Sequence, residues 1–363
     1  MSTHQGFDFL IQWHLTERCN LRCSHCYQTG ATGPELTFSE VLQGLDEIAE
    51  MFDAWADAYS LSLLPSFNIT GGEPLLRIDL FDVLGELRKR GYPAFLLTNG
   101  TLVDRQKARL IKEADVKGVQ VSIEGCEEVH DSIRGPKSFD RATEGVEHLL
   151  DAGLTVTLNV TLSRLNAGTM KKVVILASHL GVQRVGFSRL VPAGRGSGLL
   201  SQMLPSGDVQ KLYAELFSLD IAGLEIVTGD PIAAQMRARI DKNKKKNGKS
   251  AENSTGPTGL PAGGCSAGVA GLTFLADGTI VPCRRMPIPL GNLRTDPLRE
   301  VWALSPVLEA LRDRRRYKGR CGTCERWDTC RGCRAIAYAH ARARGEDDFL
   351  AEDPQCFLQP AST

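Results

Sequence analysis

No stretch of this sequence is apolar for long enough to span a bilayer. Its start, Met-Ser-Thr-His-Gln, lacks the basic segment and apolar run of a secretory signal, so the expected location is cytoplasmic and no membrane partner is expected. Net charge is missing too: 43 Lys and Arg stand against 43 Asp and Glu, which argues against a nucleic-acid binder relying on bulk charge. Nor is there an internal repeat. What is present is an ordinary globular composition, 42% hydrophobic and 24% charged, over 363 residues. That length accommodates a barrel-sized domain plus a smaller one. Eleven cysteines are an odd total that fits poorly with complete disulfide pairing. In a reducing compartment they read as metal ligands.

Three of them, Cys19, Cys23 and Cys26, are separated by three and then two residues and follow the apolar run 9–15, which reads as a strand. Three thiolates on so short a loop can close around one soft metal centre. A structural zinc site wants four ligands. No fourth cysteine lies nearby, although His14 and His25 do.

From residue 9 to about 192, extended apolar runs alternate with helical patterns. Strands are expected at 9–15, 67–70, 94–98, 118–123, 154–162 and 183–190, with amphipathic stretches at 39–58, 80–90, 104–114, 139–152 and 169–180. Thr37-Phe38-Ser39-Glu40 supplies a capped start for the first helix. Six strands alternating with helices imply parallel pairing through right-handed crossovers, hence an α/β fold with a partial (β/α)6 TIM-like barrel. Chemistry in such barrels belongs to the loops after each strand's C-terminal end, where the cysteine loop lies. A further helix is expected at 208–219. Residues 241–264, lysine-rich and then rich in polar residues, Gly and Pro, read as a loop or linker. The resulting division is a core at 1–200, a bridging segment at 201–262 and a cysteine-rich domain at 263–363.

The cysteine loop resembles that of the radical S-adenosylmethionine (radical SAM) superfamily. Membership implies a [4Fe-4S] cluster on Cys19, Cys23 and Cys26, with the fourth iron open to the amino and carboxylate groups of SAM. It also implies one-electron cleavage of SAM to a 5′-deoxyadenosyl radical. Thr70-Gly71-Gly72-Glu73-Pro74 follows the second strand and resembles the family's GGEP motif, which holds the SAM ammonium; Glu73 is expected to aid with its charge. Later strand ends supply Asn99, Ser122 and Asn159, at positions that bind SAM ribose and carboxylate in the family. Arg134, in His130-Asp131-Ser132-Ile133-Arg134-Gly135, is expected to pair with the SAM carboxylate through its fork. His25 stands where the family often has an aromatic residue near adenine. Ser and Asn at strand ends also cap backbone groups, which is the plain structural alternative.

The C-terminal cysteines resemble the SPASM extension, which carries two auxiliary iron–sulfur clusters. The resemblance assigns Cys321, Cys324, Cys330 and Cys356 to one and Cys265, Cys283 and Cys333 to the other. The last set has three ligands, leaving an open iron or an unidentified fourth ligand. Two residues, where the family has three, precede the sixth of these cysteines. A zinc ribbon is the alternative for paired Cys-x2-Cys units. Cys126, just past the fourth strand, is left over: a small buried residue, or a thiol that donates a hydrogen atom to a substrate radical.

The implied function is hydrogen-atom abstraction from a substrate, most often in this subgroup a ribosomally made peptide. Trp13-His14-Leu15-Thr16-Glu17-Arg18 resembles peptide maturases. No leader-recognition domain precedes residue 9, so a separate leader-peptide-binding protein is expected, together with a low-potential donor such as flavodoxin or ferredoxin. The second reading is tetrapyrrole modification. Residues 190–196 resemble a stretch of enzymes that trim haem side chains, with Arg195 placed to bind a propionate. A zinc-bound scaffold without chemistry is the non-enzyme alternative.

Overall fold

The structure, a computed structural model, describes residues 7–28, 33–59, 63–246 and 264–358. Its first half alternates strand and helix: β1 (Phe7–His14), α1 (Phe38–Tyr59), β2 (Leu63–Thr70), α2 (Leu80–Lys89), β3 (Ala94–Thr98) and α3 (Arg105–Glu113). Then come β4 (Gly118–Ser122), α4 (Glu127–Arg134), α5 (Ser138–Asp151), β5 (Val156–Leu162), α6 (Met170–Leu180) and β6 (Arg184–Arg189). Strands β1 to β6 pair in sequence order and in parallel. Each helix returns the chain to the same end of the sheet, so every strand delivers its C-terminal loop to one rim.

Period-two burial explains the sheet. Phe9, Ile11 and Trp13 on β1 are fully buried, as are Val156, Leu158 and Val160 on β5. Their partners are the apolar faces of the helices; Phe9 meets Phe52 of α1 edge-on with ring centroids 5.4 Å apart. Each such side chain contributes about 1.5–3 kcal/mol by leaving water. Helix α1 starts with the expected capping box: Glu40 accepts from the Thr37 amide at 2.7 Å, and Thr37 Oγ1 accepts from the Glu40 amide at 3.3 Å.

The sheet is larger than expected. After α7 (Ser206–Ser218), β7 (Glu225–Thr228) pairs in parallel with β6 and carries the sheet past residue 200. Helix α8 (Pro231–Lys246) takes in the first part of the lysine run, where a loop was expected. The rest of that run and the polar stretch to residue 263 lie outside the described residues. The other sheet edge is built by the C-terminal segment: β8 (Gly271–Phe274) pairs in parallel with β1, then antiparallel with β9 (Thr279–Val281), which pairs with β10 (Gly291–Asn292). Short helices follow: α9 (Leu298–Leu304), α10 (Pro306–Arg312), α11 (Gly319–Thr323) and α12 (Arg334–Arg342).

Two arginines fasten this segment to the barrel. Arg189, fully buried at the end of β6, is ion-paired with Asp230 and with Asp353. On the exposed side Arg294 donates to Glu40 at 2.5 Å, to the Asp277 carbonyl at 2.7 Å and to the Pro34 carbonyl at 3.2 Å.

Candidate active site

Residues 15–28 cross the rim after β1. Leu21 and Cys23 are buried while Arg18, Asn20, Arg22 and Ser24 are exposed, so the loop turns its sulfur side inward. It rests on the loop after β2: the Gly72 amide donates to Thr16 O at 2.7 Å and the Glu73 amide to Arg18 O at 2.8 Å. A Cβ on Gly72 would stand 2.2 Å from Arg18 O, so no side chain fits there. Gly71 and Gly72 line an open cavity of roughly 970 Å3 together with Cys19, Cys23 and Cys26. Glu73 and Pro74 do not line it. The fully buried Glu73 carboxylate instead accepts from Thr98 Oγ1 at 2.7 Å, Asn99 N at 2.8 Å and Leu75 N at 3.2 Å, and burial pushes it up to about 6 against these bonds. These bonds tie the glycine loop to β3. Pro74 opens the short 3-10 turn Pro74–Leu76.

His25, Asn99, Ser122, Arg134 and Asn159 also line the cavity. Asn99 reaches back to the cysteine loop, its Nδ2 donating to Asn20 Oδ1 at 2.9 Å and lying 3.9 Å from Cys19 Sγ. Ser122 and Asn159 are register neighbours on β4 and β5. One edge of the Arg134 fork is taken by Glu124: Nε and Nη2 donate to Glu124 Oε1 at 3.0 and 2.5 Å. Glu124 also meets His25 Nε2 at 3.2 Å and accepts from Thr161 N at 2.8 Å. Burial alone would raise this carboxyl, but the Arg134 cation and then His25 hold it well below the usual carboxylate range. Arg134 Nη1 sits 3.8 Å from Cys23 Sγ, so the arginine serves the cysteine loop. Cys126 occupies the N-cap position of α4 and is not among the cavity-lining residues.

Across the cavity stand residues the sequence reading did not single out: Tyr27, Arg189, Arg284 and Arg285. The available signal was adjacency, Tyr27 following Cys26 and the arginine pair following Cys283. Arg195 joins them from the segment after β6. Gly194 makes that approach possible, with φ +58 and a Cβ position 2.2 Å from Tyr27 O.

In the C-terminal segment Cys321, Cys324, Cys330 and Cys356 together line a second cavity of roughly 980 Å3. Cys333 lies within electrostatic reach of Cys265 and Arg285, and Arg285 of Cys283. Burial pushes the Cys330 and Cys333 thiols up to about 12, so a metal centre binding there would displace their protons. N–H donors already point at the sulfurs: Leu21 N at 3.4 Å from Cys19 Sγ, Arg326 N at 3.4 Å from Cys324 Sγ, and Arg334 Nη2 at 3.5 Å from Cys321 Sγ. Among the described residues no three His, Cys, Asp or Glu side chains converge tightly enough to hold one metal ion. Thiols ringing a volume, with N–H donors and buried cations beside them, suit an iron–sulfur cluster better than a single zinc.

Comparison with known proteins agrees. Residues 13–176 match the model of the radical SAM superfamily, and residues 265–334 that of the SPASM iron–sulfur cluster-binding domain. An AdoMet-dependent heme synthase of Methanosarcina barkeri is 33% identical over 97% of this chain and 97% of its own. The mycofactocin maturase MftC of Mycobacterium tuberculosis is 29% identical over 90% of this chain and 78% of its own. Among solved structures, Streptococcus suis SuiB superposes with a TM-score of 0.70 at 16% identity, covering 97% of this chain and 78% of that one. The chain belongs to the radical SAM enzymes with a C-terminal SPASM domain, whose cofactors are SAM, a [4Fe-4S] cluster and auxiliary iron–sulfur clusters.

Proposed function

We propose that this enzyme modifies the carboxylate-bearing side chains of a tetrapyrrole, with residues 1–200 supplying the SAM site and residues 263–363 holding two auxiliary clusters on the cysteine sets named above. The observation that carries this reading is the arginine wall. Arg195, Arg284 and Arg285 face the same cavity as the cluster cysteines; Arg285 lies within electrostatic reach of Asp230, Cys283 and Cys333 but closes no ion pair with them among the described residues. Arg285 Nε is buried without any hydrogen-bond partner. An unpaired buried guanidinium is costly, and carboxylates of a ligand, taken bidentately, would relieve that cost. A tetrapyrrole brings several carboxylates at once. A relative 33% identical over 97% of this chain and 97% of its own is named a heme synthase, which supports the reading. The peptide reading draws support from the MftC relative, named a maturase, but a peptide gives no particular reason for three arginines on one cavity wall.

When bound, the cluster and SAM supply the means to take a hydrogen atom from an unactivated C–H bond. The protein's own residues then do the rest. Glu124 fixes Arg134 and His25 beside the cysteine loop, Asn99 braces Asn20, and the arginines orient the substrate's acid groups above the rim. A low-potential one-electron donor such as flavodoxin or ferredoxin would complete the system.

The test offers reconstituted enzyme, SAM and dithionite an iron porphyrin carrying four propionates. The expected outcome is a porphyrin product lighter by one or more carboxyl groups, and a KM raised about tenfold or more in Arg284→Met or Arg285→Met, as loss of one charge-assisted bond implies. An unchanged porphyrin alongside modification of a small peptide would overturn the proposal in favour of the peptide reading.

A further inference from the structure

Tyr27 stands at the seam where the cysteine loop meets the C-terminal segment. The Arg284 guanidinium lies over its ring, 5.6 Å from the centroid, and the His14 ring meets it edge-on at 6.0 Å. The backbone beneath is clamped: the Gly196 amide donates to Cys26 O at 2.9 Å, and Gly194 abuts the Tyr27 carbonyl. Gln28 donates to Glu17 at 2.8 Å, which fixes the loop on the other side. His14, buried behind the ring, closes the space into which the ring would otherwise turn. Tyr27 is therefore a rigid platform.

Arg284 is its counterpart. It has no hydrogen bond or ion pair among the described residues, and its contact is the aromatic face. A guanidinium over a ring is attracted through its plane, which leaves the edge N–H donors free for an acid group. A long arginine without that platform would sample many rotamers, and binding would have to freeze them. We propose that Tyr27 is a positioning residue that presents Arg284 to a substrate carboxylate, so that this acid-binding element is complete only with the C-terminal segment docked on the cysteine loop. The inference rests on the acidic-substrate reading above.

Equilibrium dialysis of a four-propionate iron porphyrin against iron-reconstituted protein tests it, without turnover. Tyr27→Phe keeps the platform and should bind within about twofold of wild type, since the face supplies the attraction. Tyr27→Leu should weaken binding about tenfold, equivalent to about 1.4 kcal/mol. Arg284→Met should weaken it by at least as much, and adding Tyr27→Leu to it should cost less than about twofold more, because one interaction cannot be lost twice. If Tyr27→Leu does not take up iron, Tyr27→Met carries the same comparison. Losses that multiply, or Tyr27→Leu binding like wild type, would overturn the inference and leave the acidic-substrate reading standing. Porphyrin that does not bind wild type at all would overturn both.

Discussion

His130 is fully buried, and its Nδ1 accepts from the Glu124 amide at 3.2 Å. Burial, and then the Arg134 cation, push its pKa down to about 4 from 6.5. The folded state thus keeps His130 neutral where the unfolded chain would protonate it. Stability is fully present above pH 6.5 and is lost as pH falls from there towards 4, by up to about 3 kcal/mol from this group. Denaturant melts at pH 7 and pH 5 should show that loss, and His130→Asn, which keeps an acceptor but cannot titrate, should flatten the difference while lowering stability at both. An equal pH dependence in the variant would count against this assignment. At this scale the cysteines and glycines were legible because their chemistry is tied to identity and spacing. Glu124 was not. A single carboxylate after a strand has no periodic or spacing signature, and its importance comes from Arg134, His25 and the Thr161 amide converging on it in space. Glu73 shows the reverse: the motif names the residue, but its bonds to Thr98 and Asn99 exist only in the folded chain.

The strands and helices of the first half were largely readable from apolar period, and β3 has the expected bounds of 94–98. Some short elements were not. β7 has four residues, and α4 packs eight between β4 and α5, where two buried side chains, His130 and Ile133, give too little periodicity to notice. Pairing of β8 with β1 joins parts of the chain far apart in sequence, which no local pattern encodes. Arg294 shows what that docking depends on. Its hydrogen bond is the main cause holding Glu40 down to about 2, so this pair contributes above the ordinary carboxylate range and is lost as pH falls through that value. Arg294→Ala removes the pair and the bonds to Asp277 O and Pro34 O together. We expect a loss of up to about 1 kcal/mol by denaturant melt, as for other solvent-exposed ion pairs, and easier proteolysis within the C-terminal segment. Unchanged melting and cleavage would mean the strand pairing alone holds the segment.

For the molecule as a whole, the cysteine loop and a wall of arginines meet at the strand-end rim from opposite ends of the chain. The barrel rim gives the cysteine loop its cavity, and the C-terminal segment, by extending the sheet from β1, brings Arg284 and Arg285 to the far side of that cavity. The fold class was readable in order along the sequence. The substrate-facing wall was not, because it exists only after that docking. The most direct test of the account is iron per chain together with 5′-deoxyadenosine release under dithionite, compared between wild type and the Cys19→Ala, Cys23→Ala, Cys26→Ala triple variant after anaerobic reconstitution. The account predicts about twelve irons and release in wild type, and about eight irons with no release in the variant, as three four-iron clusters require. Release that survives in the triple variant, or wild-type protein that takes up zinc without iron and releases nothing, would contradict it.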